Sequence, residues 1–323
     1  MKAIFQISSG KPDVLQLGEF PNPTYGPKDV LVSNLATSVN PRDCLIRAGR
    51  YQLQFLVPKF PLILGSDCYG RVLSTGAEVK NFKTGDLVYG LKNPSDGLGT
   101  YADYVSVPAK NLALAPENLS TDQAAGIPLC ALTAYQALVD HGQIRKGRRV
   151  LVIGASGGVG SFAIQIGKAF GATVDGVCSA SNVKLVQTLG ADQVFDYQTQ
   201  GIETINGQYD IIFDTVGQHS AETCKHLLSI GSVFVTTVPT LPYLFKHLMS
   251  KSLAFFSIPH LRKRVVMVKP SQHQLAEITR LIEKKSILPV IDSVYGMDDI
   301  VAAHLRSQSK RSVGKIIVRT QVT

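Results

Sequence analysis

A chain of 323 residues, 45% hydrophobic and 18% charged, can bury two cores, and its composition is that of a globular protein, not a disordered or fibrous one. Its formal net charge of +9 favours anionic small molecules, acidic partners or anionic surfaces without choosing among them. The segment MKAIFQISSGKPD lacks the apolar core of a signal peptide, and the most apolar late stretch, 241–259, is interrupted by Pro242, Lys246, His247 and Lys251, so the sequence reads as soluble with no transmembrane segment.

The first third alternates short apolar runs with Gly, Pro, Asn and Asp. Val30–Val39, Val72–Thr75 before Gly76, and Asp86–Tyr89 before Gly90 read as strands of a compact β-rich domain. From about residue 123 the texture becomes alternating strands and helices. Strands are expected at 150–153, 173–178, 193–195, 209–214 and 231–237, with helices at 159–170, 182–189 and 219–228, which together predict a doubly wound parallel sheet. A helix with apolar Leu275, Ile278, Leu281 and Ile282 follows, then a strand at Leu288–Val294, a helix at Asp298–Leu305 and a last strand at Gly314–Val318. This tail is expected to return to the first domain.

The run VLVIGASGGVGSFAIQIGKAFGA (150–172) carries the most chemistry. Val150–Ile153 reads as a buried parallel strand, and it feeds glycines at 154, 157, 158 and 160. Val159, Phe162, Ala163, Ile166, Ala169 and Phe170 then recur as one helix face. Strand, glycine turn and helix form the first unit of a dinucleotide-binding fold: side-chain-free positions let a pyrophosphate approach the backbone, and the helix N-terminus offers unpaired N–H groups. The turn residues Gly154, Ala155, Ser156, Gly157, Gly158, Val159 and Gly160 are therefore candidate cofactor contacts.

The second strand, TVDGVCSASNVK, ends in Cys178 and Ser179. No acid follows before Asp192, and Asp175 lies inside the strand, too early to reach a ribose. A site built for NADH normally places Asp or Glu there to bond the ribose 2′-OH, so its absence removes repulsion against a 2′-phosphate. Ser179, Ser181 and Lys184 supply donors and a charge for that phosphate, which favours NADPH; Lys184 read plainly is a solvated helix lysine.

Five cysteines (44, 68, 130, 178 and 224) form no CxxC pair and are odd in number, which reads as reduced thiols of an intracellular, cytoplasmic protein. Cys44 and Cys68 read as small buried residues. The seven histidines show no paired ligand spacing.

Several motifs in order resemble zinc-independent medium-chain dehydrogenase/reductases of the quinone oxidoreductase and enoyl reductase branch. They are SVNPRDCLIRAGRY (38–51), LILGSDCYGRVLSTGAEVKNFKTGDLVYG (62–90), GTYADYVSVPA (99–109), GIPLCALTAYQAL (126–138), the glycine turn, LGADQVFDY (189–197), YDIIFDTVG (209–217) and RSVGKIIV (311–318). The resemblance implies an α/β chain with a GroES-like β-rich catalytic domain at 1–122 and 265–323, a Rossmann NADPH-binding domain at 123–264, and a homodimer.

It also implies residue roles. Tyr51 falls at the position of the catalytic tyrosine of enoyl-thioester reductases, as proton donor or enolate hydrogen-bonder, although a loop tyrosine that only shapes the pocket would look the same. Asn40 is implied on the nicotinamide or ribose side; alternatively it is a turn former before Pro41. Thr133, Tyr197, Asp214, Thr215 and Gly217 match cofactor positions. Gly314 and Lys315 match a closing motif whose lysine approaches the cofactor, and a surface lysine is the plain alternative. Leu45 replaces a second tyrosine common in quinone reductases, which suggests a more apolar pocket. Asp67 and Asp86 read as turn-holding structural residues.

Zinc-dependent relatives place Cys where this chain has Asn40, His–Glu where it has Ser66–Asp67, and Cys or Asp where it has Leu129. With no cysteine between Lys92 and Lys110 either, no metal is expected. Without a Lewis acid, reduction of a quinone or of the C=C of an α,β-unsaturated carbonyl is easier than reduction of an isolated carbonyl, because charge spreads into the acceptor's own carbonyl. An enoyl-thioester (CoA or acyl-carrier) reductase and a non-catalytic NADPH-holding protein are the alternatives. From Cys224 through Ala276 there is no acid but seven Lys or Arg, which suits a thioester's phosphates, a peripheral anionic surface, or simply solvent; no nucleic-acid motif is present.

Overall fold

The computed structural model describes residues 1–238 and 262–320. They divide into two units, Met1–Leu132 with Lys269–Thr323, and Thr133–Val268.

The N-terminal part of the first unit contains β1 (Lys2–Gln6), β2 (Gln16–Glu19), β3 (Asp29–Val39), α1 (Pro41–Arg47), β4 (Leu62–Ile63), β5 (Asp67–Thr75), β6 (Leu87–Leu91), β7 (Tyr104–Pro108), β8 (Leu112–Leu114) and α2 (Thr121–Ala125). The helix α3 (Pro128–Tyr135) contains the division between units. In the second unit lie β9 (Arg149–Ile153), α4 (Gly158–Ala169), β10 (Thr173–Cys178), α5 (Val183–Thr188), β11 (Gln193–Asp196), β12 (Tyr209–Asp214), β13 (Leu228–Thr236) and β14 (Arg262–Val265). The returning segment adds α6 (Gln272–Glu283), β15 (Ile291–Gly296), α7 (Ile300–Gln308) and β16 (Lys315–Arg319).

In the first unit the eleven-residue β3 organises a seven-stranded sheet in the order β15-β16-β3-β5-β6-β8, with β7 also paired to β3. Every pair is antiparallel except β15 with β16. A small antiparallel sheet, β2-β1-β4, stands apart. One core packs Val30, Val32, Cys68, Val72, Val88, Val105 and Leu112; a second joins Ile4, Cys44, Ile63, Tyr101, Ile300 and Ile316. The domain boundaries expected at 122/123 and 264/265 differ from these divisions, because α2 touches β3, β5, β15 and β16 and stays with the first unit. The strand expected at Leu288 begins only at Ile291, since Pro289 has no N–H for a ladder.

The second unit is a six-stranded, all-parallel sheet in the order β11-β10-β9-β12-β13-β14. Side chains alternate across it. Leu151, Ile153, Val177, Ile212 and Phe234 share one buried cluster, while Val174 and Gly176 meet α4 on the other face. The middle of α4, Ser161 to Gly167, is buried throughout; Ala169, expected on its apolar face, is exposed.

The helix expected at 219–228 does not form; turns and a 3-10 turn at Lys225–Leu227 replace it. Ser220 and Thr223 exchange side-chain-to-backbone hydrogen bonds, and the His219 N–H goes to Asp214, which offers the backbone an alternative to helix. Ala221, Cys224 and Leu227 still reach the core, three residues apart. Of the basic stretch, Lys246 and Lys251 lie outside the described residues, and Lys263 pairs with Glu222 just before it. No helix among the described residues is long and apolar enough to cross a membrane.

Candidate active site

The glycine turn leaves β9 through Gly154, whose φ of +82° is a conformation that side chains resist. A Cβ on Gly154 would stand 2.5 Å from Val216 and 2.6 Å from Thr215 Oγ1. Two residues of the turn, Gly154 and Ala155, donate their N–H groups to Val177 O on β10 at 3.0 and 2.9 Å. Gly157 caps α4 with extended backbone and has room for a Cβ, its nearest neighbour being 3.5 Å away. Gly160 has none: a Cβ there would lie 2.1 Å from Gly154 O. At this contact the first turn of α4 packs against the strand end, and the helix N-terminus carries the N–H groups that have no intrahelical partner. Ser156 accepts from Asn182 Nδ2 at 3.0 Å, and Gly158 and Val159 are half-buried in that first turn.

Most of the other candidate cofactor residues lie at the carboxyl ends of the neighbouring strands. Tyr197 N donates to Cys178 O at 3.1 Å, and the Tyr197 side chain is exposed. Ser179 and Ser181 hydroxyls are 3.1 Å apart, and Lys184 is exposed on α5. Asp175 is buried and held by Tyr209 OH at 2.8 Å and Arg149 at 3.2 Å. Thr215 ties β12 to β9 through Oγ1 to Ile153 O at 2.9 Å. Asp214 is committed to its turn: Val216 and Gly217 N–H reach Oδ1, and His219 N–H reaches Oδ2, at 2.8–2.9 Å. Thr133 is buried at the start of the second unit.

In the first unit four segments converge on a buried polar cluster. Asp67, first residue of β5, accepts at Oδ1 from Leu129 N at the start of α3, 2.6 Å away. Its Oδ2 receives Ser38 Oγ at the end of β3 and Asn40 Nδ2 at 2.9 Å. Lys315, first residue of β16, donates from Nζ to Asn40 Oδ1 at 2.6 Å and lies 3.5 Å from Asp67 Oδ2 and 3.4 Å from Cys130 Sγ. Gly314, with φ +85°, makes the turn that aims it.

Burial works against the Lys315 charge, yet the facing Cys130 sulfur and Asp67 carboxylate hold its pKa above the usual lysine value. Burial also pushes the Cys130 thiol upward. Lys315 is thus not a surface lysine. The Asn40 amide is engaged at both ends by Lys315, Asp67 and Ser38, which fixes its orientation in the cluster. Cys130 was not singled out by sequence reading, because its partners come from remote segments. Asp86 does hold its turn, accepting from Lys83 N at 2.9 Å.

Beside this cluster runs a second chain. Asn40 N, Tyr101 OH and Ser66 Oγ donate to Asp43 at 2.9–3.3 Å. Burial raises the Asp43 pKa. His304 Nε2 is 3.3 Å from Tyr101 OH, and its Nδ1 accepts from Arg47 at 3.2 Å. Burial, then the Arg47 charge, lowers the His304 pKa to about 3. Tyr51 is half-buried against this core, and its loop exposes Phe55, Leu56 and Phe60.

Residues 26–117 match the alcohol dehydrogenase GroES-like domain, and residues 189–318 match a family described as zinc-binding dehydrogenase. The chain is 32% identical to a 2-methylene-furan-3-one reductase of Solanum lycopersicum, over 98% of this chain and 79% of the relative. It is 30% identical to a chloroplastic NADPH-dependent alkenal/one oxidoreductase of Arabidopsis thaliana, over 98% and 79%. It superposes on a quinone oxidoreductase from Coxiella burnetii with a TM-score of 0.89 and 29% identity, over 99% of both chains. The chain belongs to the zinc-independent medium-chain dehydrogenase/reductases.

Zinc does not fit the donors of this member. Among the described residues no three His, Cys, Asp or Glu side chains converge, and the thiol and carboxylate of the polar cluster already face an ammonium. A nicotinamide dinucleotide does fit the second unit, whose cradle is shaped by the contact that a Cβ at Gly160 would fill.

Proposed function

We propose that this enzyme is an NADPH-dependent reductase of quinones and of the C=C bond of α,β-unsaturated carbonyls. The observation that carries the reading is the glycine cradle at the head of α4, in a chain whose relatives are named for alkenal, enone and quinone reduction. When bound, the nicotinamide supplies a hydride equivalent to the acceptor. Gly154, Ala155, Ser156, Gly157, Gly158, Val159 and Gly160 hold the pyrophosphate on the α4 N-terminus. Ser179, Ser181, Lys184 and Tyr197 receive the 2′-phosphate, a choice supported by the lack of a free carboxylate after Cys178.

Thr133, Thr215 and Gly217 line the cofactor side, and Asp214 shapes their turn. Tyr51 donates a hydrogen bond or proton to the developing enolate; its phenol has no partner among the described residues. The apolar Phe55, Leu56 and Phe60 beside it suit an apolar acceptor. Free, buried cysteines accord with a cytoplasmic setting, and the resemblance with a homodimer.

The test is NADPH consumption with small enones and a simple quinone. Turnover of either class, reduced about a hundredfold in Tyr51→Phe, is expected. Tight NADPH binding with negligible turnover on every acceptor would sink the reading and leave a cofactor-holding protein.

A further inference from the structure

We infer, on the NADPH reading proposed above, that Asn182 sets the preference for NADPH over NADH while holding neither phosphate. Its side-chain amide ties the turn of Ser179 and Ser181, assigned to the 2′-phosphate, to Ser156 of the glycine turn, assigned to the pyrophosphate. The bond fixes the spacing of the two anion sites.

Asn182 stands at the N-cap of α5, where an asparagine side chain ordinarily accepts from the first N–H groups of its own helix. Here it caps none of them. Its Nδ2 donates instead to Ser156 Oγ, 3.0 Å away and 26 residues back in sequence. The Asn182 backbone N–H donates to Ser179 O at 2.9 Å, which closes the turn whose two serine hydroxyls lie 3.1 Å apart. One residue thus joins the backbone of the first site to a side chain of the second. Apolar packing beneath it links the same two segments. A Cβ on Gly176 of β10 would lie 2.8 Å from Val186 Cγ1 of α5 and 2.9 Å from Ala155 Cβ of the glycine turn, so α5 and the turn both close over that bare position.

A serine hydroxyl has one hydrogen to give. With the Asn182 amide donating to its oxygen, Ser156 keeps that hydrogen for another acceptor, and none is found for it among the described residues. A pyrophosphate oxygen supplies one. A dinucleotide that spans both sites meets anchors already spaced for it, so less ordering has to be met on binding. A ligand that fills one site alone gains nothing from the spacing.

The experiment titrates wild type, Asn182→Ala, Ser156→Ala and the double variant with NADPH and NADH by fluorescence and with 2′-AMP by calorimetry, beside thermal unfolding. In Asn182→Ala, NADPH affinity should fall about threefold to tenfold, the worth of one hydrogen bond. Affinity for NADH and for 2′-AMP should hold, and Tm should hold because no helix cap is lost. In the Ser156→Ala background, Asn182→Ala should lower NADPH affinity no further.

Unchanged NADPH affinity in Asn182→Ala, or additive losses in the double variant, would overturn the assignment. So would a parallel loss of 2′-AMP binding, which makes Asn182 a direct phosphate contact. A lower Tm with equal losses for NADPH and NADH also overturns it, since Asn182 is then only a structural residue. Wild-type protein that binds no 2′-AMP, or NADPH no tighter than NADH, refutes the NADPH reading and this role of Asn182 with it.

Discussion

The Lys315 ammonium and the Asp67 carboxylate meet 3.5 Å apart across 248 residues of sequence, both buried. The contact ties the first residue of β16 to the first residue of β5, and so helps bring the returning segment into the first unit. Because both groups are almost fully removed from water, breaking the pair leaves a naked charge. Lys315→Met or Asp67→Asn alone is expected to destabilise the first unit by about 3–5 kcal/mol. The double variant should lose less than the sum of the two. Urea unfolding of all four proteins checks this, and additive losses would mean that the two charges do not interact.

The glycine turn yields a paired prediction. In Gly160→Ala the new methyl meets the backbone carbonyl of Gly154 at 2.1 Å, and neither atom is the end of a flexible side chain, so the turn must open. NADPH affinity should fall at least tenfold, which is about 1.4 kcal/mol. Gly157→Ala meets nothing closer than 3.5 Å and should fold with ordinary stability. On the proposed cofactor site its NADPH affinity should still drop, because a side chain at the helix cap keeps an anion from the backbone. Fluorescence titration beside thermal unfolding separates the two effects.

Cofactor choice is expected to turn on the end of β10. Ser179→Asp installs a carboxylate directly after Cys178, where it repels a 2′-phosphate and accepts from a ribose hydroxyl. The ratio of kcat/KM for NADPH over NADH should fall by about tenfold or more, close to 1.4 kcal/mol of differential binding. An unchanged ratio would move the 2′-phosphate site elsewhere.

His304 gives the first unit a defined acid sensitivity. Its folded pKa of about 3 lies below the ordinary 6.5, so the folded protein refuses a proton that the unfolded chain accepts. Stability is therefore complete above pH 6.5 and falls as pH drops from there toward 3, by about 1.4 kcal/mol per pH unit from this group. In His304→Gln that contribution disappears. The slope of unfolding free energy between pH 6 and pH 5 should be shallower in the variant by about one proton's worth; equal slopes would show that His304 is charged in the folded state.

Much of this architecture is legible in the sequence, and the illegible parts have physical causes. The strands β9 to β12 and the helix α4 follow from apolar runs and helical spacing, because local pattern and tertiary burial agree there. The 219–228 segment carries apolar residues at helix-compatible spacing, but Asp214, Ser220 and Thr223 capture its N–H groups. Ala169 looked like part of a helix face and is exposed because α4 ends there.

The cofactor turn is readable because its chemistry sits within seven consecutive residues. The Lys315 cluster is not, since Ser38, Asp67, Cys130 and Lys315 come from four distant segments and share no periodic signal. Resemblance alone singled out Asn40 and Lys315, and the structure joins the two by a hydrogen bond that no local pattern announces.

The most direct test of the central claim is steady-state reduction of an enone, a quinone and a saturated ketone with NADPH, before and after exhaustive chelation. The account predicts turnover of the enone or the quinone, none of the saturated ketone, and rates that chelation leaves unchanged. Loss of activity on chelation with recovery by zinc, or preferential reduction of the saturated ketone, would contradict it.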